Sequence, residues 1–71
     1  MVKNGYRVID DFQVQQMRVL VLDSDYEFGK FNKVLIEGRS YSFAPNSIKN
    51  WVNIRSKETF KGKTVKFIRE D

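Results

Sequence analysis

Histidine and cysteine are both missing from this 71-residue chain. Without cysteine there is no disulfide to staple the fold and no thiolate to hold a metal. Without histidine the commonest metal ligand is gone, and so is the commonest general base near neutral pH. Long hydrophobic runs are lacking too. The longest, Val19 to Leu22, falls far short of the roughly 20 residues of a membrane-spanning helix. The start, Met1-Val2-Lys3-Asn4-Gly5, has no apolar core of the kind a secretory signal requires. No internal repeat, low-complexity tract or interdomain linker interrupts the chain. These absences predict a soluble cytoplasmic protein with no membrane association, no cofactor and no resident metal. They also argue against an enzyme, since no nucleophile–base pair built on cysteine or histidine is available.

What is present is globular in character: 41% hydrophobic, 14% aromatic and 31% charged residues. So many aromatic and β-branched side chains argue for a packed core rather than disorder. The length fits one domain over residues 1–71, which buries about 60% of its unfolded surface and relies on large side chains for its core. The net charge of +4 is unevenly distributed. Residues 1–29 carry three basic and five acidic side chains, residues 30–69 ten and two, and Glu70 and Asp71 close the chain. A positive field confined to the second half favours polyanions, acidic protein surfaces or anionic lipid, and also suits a solubilising surface with lysines guarding sheet edges.

The clearest pattern lies between Lys33 and Arg55. Val34 and Ile36 alternate with Leu35, Glu37-Gly38 supplies a turn with positive φ at the glycine, and Tyr41 and Phe43 return with Ser40 and Ser42 on the opposite side. Pro45-Asn46-Ser47 suits a turn, with Ile48 tucked into the core, and Trp51-Val52-Asn53-Ile54-Arg55 reads as a further strand. Earlier, Tyr6 to Ile9 predicts a short strand closed by Asp10-Asp11. Apolar side chains fall on even positions at Phe12 and Val14 and on odd positions at Met17, Val19 and Val21. That change of phase predicts a bulge or bend near Gln15-Gln16, or two strands joined there. Val19 to Leu22 is apolar on both faces, which predicts a strand covered on both sides or curling across a barrel. Tyr26 to Phe28 suggests a short extended piece ended by Gly29, and Phe60 is expected to pack back on the body. Lys63 to Arg69 predicts a last strand with Val65 and Phe67 inward. Five or six short strands with closely spaced turns and no convincing helix describe an all-β fold. The expected form is a small antiparallel barrel or sandwich, SH3-like in preference to OB-like, because an OB-fold runs longer and tends to carry a helix that residues 45–50 are too short to form.

Val19-Leu20-Val21-Leu22-Asp23-Ser24-Asp25 resembles the nucleophile motif of haloacid-dehalogenase-type phosphatases, in which paired aspartates hold magnesium and attack phosphate. The resemblance implies a Rossmann-like domain at least twice this long, and no such scaffold can be built from these residues. Asp23 to Glu27 also resembles the first ligands of an EF-hand loop, but Phe28 and Val34 stand where that loop needs glycine and glutamate. The expectation at Asp23-Ser24-Asp25 is therefore a turn that ends a strand, with side chains bonding their own backbone.

Trp51 is the more informative residue. If Val52 and Ile54 fill the core, parity puts Trp51, Asn53 and Arg55 on the opposite face. The competing expectation is an indole covered by the 45–50 connector or by the N-terminal segment, because a small core needs its largest pieces inside. Lys49, Arg55, Lys57, Lys61 and Lys63 gather around Trp51 if the last two strands pair. The candidate binding residues are thus Lys49, Trp51, Asn53, Arg55, Lys57, Lys61 and Lys63. A tryptophan beside a guanidinium suits a protein partner or self-association. The same aromatic among cations suits single-stranded nucleic acid, which needs phosphates neutralised and bases stacked. The first reading leads, because the charge excess is modest and no nucleic-acid-binding motif accompanies it.

Overall fold

The computed structural model describes residues 5–26, 31–43 and 49–70. Six strands form one antiparallel sheet: β1 (Gly5–Val14), β2 (Met17–Leu22), β3 (Lys33–Ile36), β4 (Arg39–Ser42), β5 (Trp51–Arg55) and β6 (Thr64–Ile68). Their order is β4-β3-β6-β1-β2-β5. The all-β, antiparallel reading of the sequence holds, and no helix among the described residues is long and apolar enough to cross a membrane. Pro45, Asn46, Ser47 and Ile48, and the piece from Glu27 to Gly29, lie outside the described residues.

β1 organises the sheet because it belongs to both halves. Its first residues, Gly5 to Arg7, pair with β6, and its remainder pairs with β2. Between the halves one residue is extra: Val8 faces Leu22 and Asp10 faces Val21, so Ile9 bulges out of the ladder. A bulge bends its strand and reverses side-chain parity. Tyr6 and Val8 are accordingly buried, whereas Phe12 and Val14, also even-numbered, face outward. The sequence reading expected a strand ending at Asp10-Asp11 and an irregularity at Gln15-Gln16. The irregularity is at Ile9, the strand runs through, and Gln15-Gln16 is the turn of a hairpin, with Gln15 at φ 56°. The second expectation there, two strands joined, is the one that holds.

The β3–β4 hairpin forms as its sequence predicts. Glu37 and Gly38 have φ of 50° and 81°, the pair of positive values that a two-residue turn needs to match strand twist. Val34 and Ile36 are buried, and Tyr41 and Phe43 pack at the edge of the core. Val65 and Phe67 of β6 point inward as expected, and so does Phe60. Phe67 is the hub of the aromatic cluster. Tyr26 stacks on it with ring centroids 4.4 Å apart, and Tyr6 and Phe43 meet it edge-on at 5.1 and 5.7 Å. Such pairs each add roughly 0.5–1.5 kcal/mol beyond area burial, which matters in a domain this small.

A closed barrel does not form. Among the described residues the edge strands β4 and β5 are joined by a single isolated bridge, from Phe43, just past β4, to Ile54. Beyond it the chain leaves the strand path, because the Lys57 carbonyl accepts from Arg18 Nη2 at 3.5 Å and the Glu58 amide donates to Ser56 Oγ at 3.1 Å. β5 and β6, which the sequence reading allowed to pair, are separated by β1 and β2. The reason is that both edges of β6 are taken, by β1 on one side and β3 on the other, which leaves it none to offer β5.

Candidate interaction surface

β2 is apolar on both sides, and the two sides have different fates. Leu20 and Leu22 point into the core and are fully covered. Met17, Val19 and Val21 point the other way, onto the outer face shared with β1 and β5. The registers arrange that face in rows. Asp10, Val21 and Trp51 form the first; Phe12, Val19 and Asn53 the second; Val14, Met17 and Arg55 the third. An antiparallel sheet with one face in water ordinarily carries polar residues on that face. Here six of the nine positions are apolar or aromatic.

The rings of Phe12 and Trp51 meet edge-to-face with centroids 5.5 Å apart. Phe12 stands on β1 and Trp51 on β5, strands that lie about 10 Å apart with β2 between them. The two rings therefore close over β2, and this explains why Val19, on the outer side of the sheet, is only 6% exposed. Trp51 itself is 47% exposed. Parity thus places it correctly outside, and the expectation of a covered indole fails. Its backbone is held firmly all the same. The Tyr26 hydroxyl donates to the Trp51 carbonyl at 3.1 Å, and Leu22 N–H donates to the Asn50 carbonyl at 2.7 Å.

Of the residues singled out in the sequence, Trp51, Asn53 and Arg55 share this face. Lys49 sits in the turn that leads into β5, with φ 54°, and its carbonyl accepts the Tyr26 amide at 3.1 Å. Lys57 is exposed just past the end of β5. Lys61 and Lys63 are placed elsewhere. Their segment lies along β1 at Val8, where Val8 N–H donates to the Lys63 carbonyl at 2.9 Å and Gly62 N–H to the Val8 carbonyl at 2.8 Å. The Lys63 ammonium pairs with Glu37 at 3.2 Å and sits 5.5 Å above the Phe60 ring. The expected single basic patch is therefore divided, because its premise, pairing of β5 with β6, does not hold.

Sequence reasoning missed Phe12, Val14, Met17 and Val21 as members of the surface. The signal was present in the two-sided apolar character of β2, but Ile9 had to be recognised as the extra residue before Phe12 and Val14 could be turned outward. It also missed the ion pair below the face. Arg18 Nη1 lies 3.5 Å from Asp11 Oδ1, with side chains 12% and 8% exposed, and the other Asp11 oxygen accepts the Phe60 amide. This pair ties the 56–60 segment to the β1–β2 hairpin. β2 ends at a bend over Asp23-Ser24, where Asp23 N–H donates to the Arg7 carbonyl of β1 at 2.9 Å and Ser24 Oγ lies 3.5 Å from Asp23 Oδ1. No family model, curated protein or solved structure matches the chain.

Proposed function

We propose that the chain is a non-enzymatic binding module that takes a protein partner, or a second copy of itself, on the outer face of β1, β2 and β5. The observation that carries this reading is the Phe12–Trp51 ring pair over Val19, half exposed on a sheet face where water is normally met by polar side chains. Tryptophan and arginine are the side chains that most often anchor protein interfaces, and Trp51 and Arg55 stand at two corners of the face with Val21 and Met17 beside them. The lack of histidine and cysteine supports a role without catalysis, and the lack of cysteine is in keeping with the cytoplasm. Six short strands bent round one core favour an SH3-like arrangement.

Single-stranded nucleic acid is the second reading, with bases on Trp51 and phosphates on Lys49, Arg55 and Lys57. It has less support, since Lys61 and Lys63 belong to the segment beside Val8 and Lys63 is already paired.

A photo-crosslinking side chain at Val14, an exposed position on the face, tests the reading in cells. The expected product is a covalent adduct with protein, lost when Trp51→Ala is added and absent when the crosslinker stands at Lys66 on the other half-sheet. Equal protein adducts from both positions, or none from Val14, overturn the proposal. Adducts with nucleic acid favour the second reading. In that case a gel shift with single-stranded DNA weakens with salt at a log–log slope of about −0.7 per phosphate neutralised.

A further inference from the structure

Between β4 and β5 the sheet leaves a seam with its own chemistry. The bridge from Phe43 to Ile54 marks one end, and the Arg39–Glu58 ion pair, with Nη1 and Oε1 3.5 Å apart, marks the other. Arg39 lies four residues before Phe43 and Glu58 four residues after Ile54, so both contacts obey one antiparallel register. That register sets Ser40 opposite Lys57, yet the Lys57 carbonyl is turned away to Arg18.

The backbone of Ser40 faces this gap. In a two-residue hairpin the residues flanking the turn form a hydrogen-bonded pair, and the direction alternates from there. Ile36 and Arg39 flank the Glu37-Gly38 turn. Arg39 and Tyr41 therefore direct their N–H and C=O toward β3, and Ser40 and Ser42 direct theirs away. On β5 the Leu22 N–H to Asn50 C=O bond sets the same alternation and turns the backbone of Asn53 and Arg55 toward β4. The opening is about 510 Å³ and is lined by Met17, Ser40, Tyr41, Ser42, Phe43 and Arg55. Its floor is aromatic, the backbone of Ser40 is the open stretch of wall short of the Phe43–Ile54 bridge, and Arg55 and Lys57 stand on the rim beside the Arg39–Glu58 pair. Arg55 is exposed and has no ion pair among the described residues. Lys57 adds a second exposed cation close by.

The geometry points to this seam as the docking site of an extended acidic peptide segment, which adds as a strand along β4. Its backbone exchanges hydrogen bonds with Ser40, one apolar side chain enters the hollow over Tyr41 and Phe43, and a carboxylate lies on Arg55. Strand addition supplies main-chain affinity, and side-chain pockets supply the selection. The site adjoins the Phe12–Trp51 face and shares Met17 and Arg55 with it, but its backbone contact, at Ser40 on β4, lies off that face.

The test is an amide-shift titration of the full chain with an acetylated, amidated seven-residue peptide of alternating valine and glutamate, and with its lysine-for-glutamate twin. Shifts are expected at Ser40–Phe43 and Arg55–Lys57, with the lysine twin at least ~10-fold weaker and Arg55→Gln weakening the acidic peptide ~10-fold. Ser40→Pro removes the edge donor without touching the β3 ladder and should abolish binding. Should that variant not fold, N-methylating the peptide's central amide removes the reciprocal bond, in which the peptide N–H donates to the Ser40 carbonyl, and should likewise abolish binding. Lys66→Gln, exposed on the other half-sheet, should leave binding unchanged. Shifts centred on Phe12, Val21 and Trp51, equal binding by the lysine twin, or no shifts at all overturn the proposal.

Discussion

The hydroxyl of Tyr26, whose ring is stacked on Phe67 in the core, donates to the carbonyl of Trp51 at 3.1 Å. One side chain thus anchors the edge strand that presents the exposed indole. β5 has β2 on one side and a single bridge on the other, so a bond on its outward-facing carbonyl limits how far its start can swing. Tyr26→Phe keeps the ring and removes the donor. The expected loss is about 0.5–1.5 kcal/mol by urea denaturation, with faster amide exchange at Trp51 and Asn53. Unchanged exchange in β5 would show that the bond does not restrain the strand.

The Phe12–Trp51 contact has a measurable coupling. Phe12→Ala and Trp51→Ala each uncover Val19, so the pair is non-additive. A double-mutant cycle is expected to give about 0.5–1.5 kcal/mol of interaction energy. A coupling near zero would mean that the two rings pack independently and that Val19 is covered by something else.

Asp11 and Arg18 are each nearly covered, and removing one leaves the other charged and confined. Asp11→Ala is expected to cost about 3–5 kcal/mol, and it also strips the acceptor from the Phe60 amide. That is a large share of the roughly 5–15 kcal/mol that holds a small domain together. The double variant Asp11→Ala, Arg18→Met is expected to be more stable than Asp11→Ala alone, because no uncompensated charge remains. If it is less stable, the guanidinium has a role independent of the carboxylate, most simply its bond to the Lys57 carbonyl.

At Gly38 a methyl group would meet no atom within 4 Å, so only the backbone conformation at φ +81° opposes it. Gly38→Ala should therefore report left-handed strain alone, about 1–2 kcal/mol in thermal or urea denaturation. A larger loss would point to a turn coupled to its surroundings, with the Glu37–Lys63 pair the first place to look.

The sequence made the second half legible and the first half only partly so. Val34, Ile36, Val52, Ile54, Val65 and Phe67 alternate without interruption, and each is buried where alternation puts it. In β1 a single extra residue, Ile9, reverses that rule midway, and nothing in Val8-Ile9-Asp10 marks it as the one left out. Strand order was less legible still. Local alternation says which side of a ribbon faces inward and is silent on which ribbons adjoin, so β6 could be placed beside β5 when its neighbours are β1 and β3. Arg18 and Asp11 were unreadable for a related reason: their burial depends on the 56–60 segment crossing over them. The indole of Trp51 was legible as an outward residue; its ring partner Phe12 was not.

Because β1 contributes backbone bonds at one end to β6 and at the other to β2, neither group of strands is complete without it. Cleaving the chain after Val14 would leave the fragment holding β2 and β5 short of its inner neighbour, while the fragment holding β1 would carry a lone ribbon. The molecule therefore resists division into autonomous pieces. Melting that begins at either group must strip a shared strand from the other, which joins both to one cooperative transition.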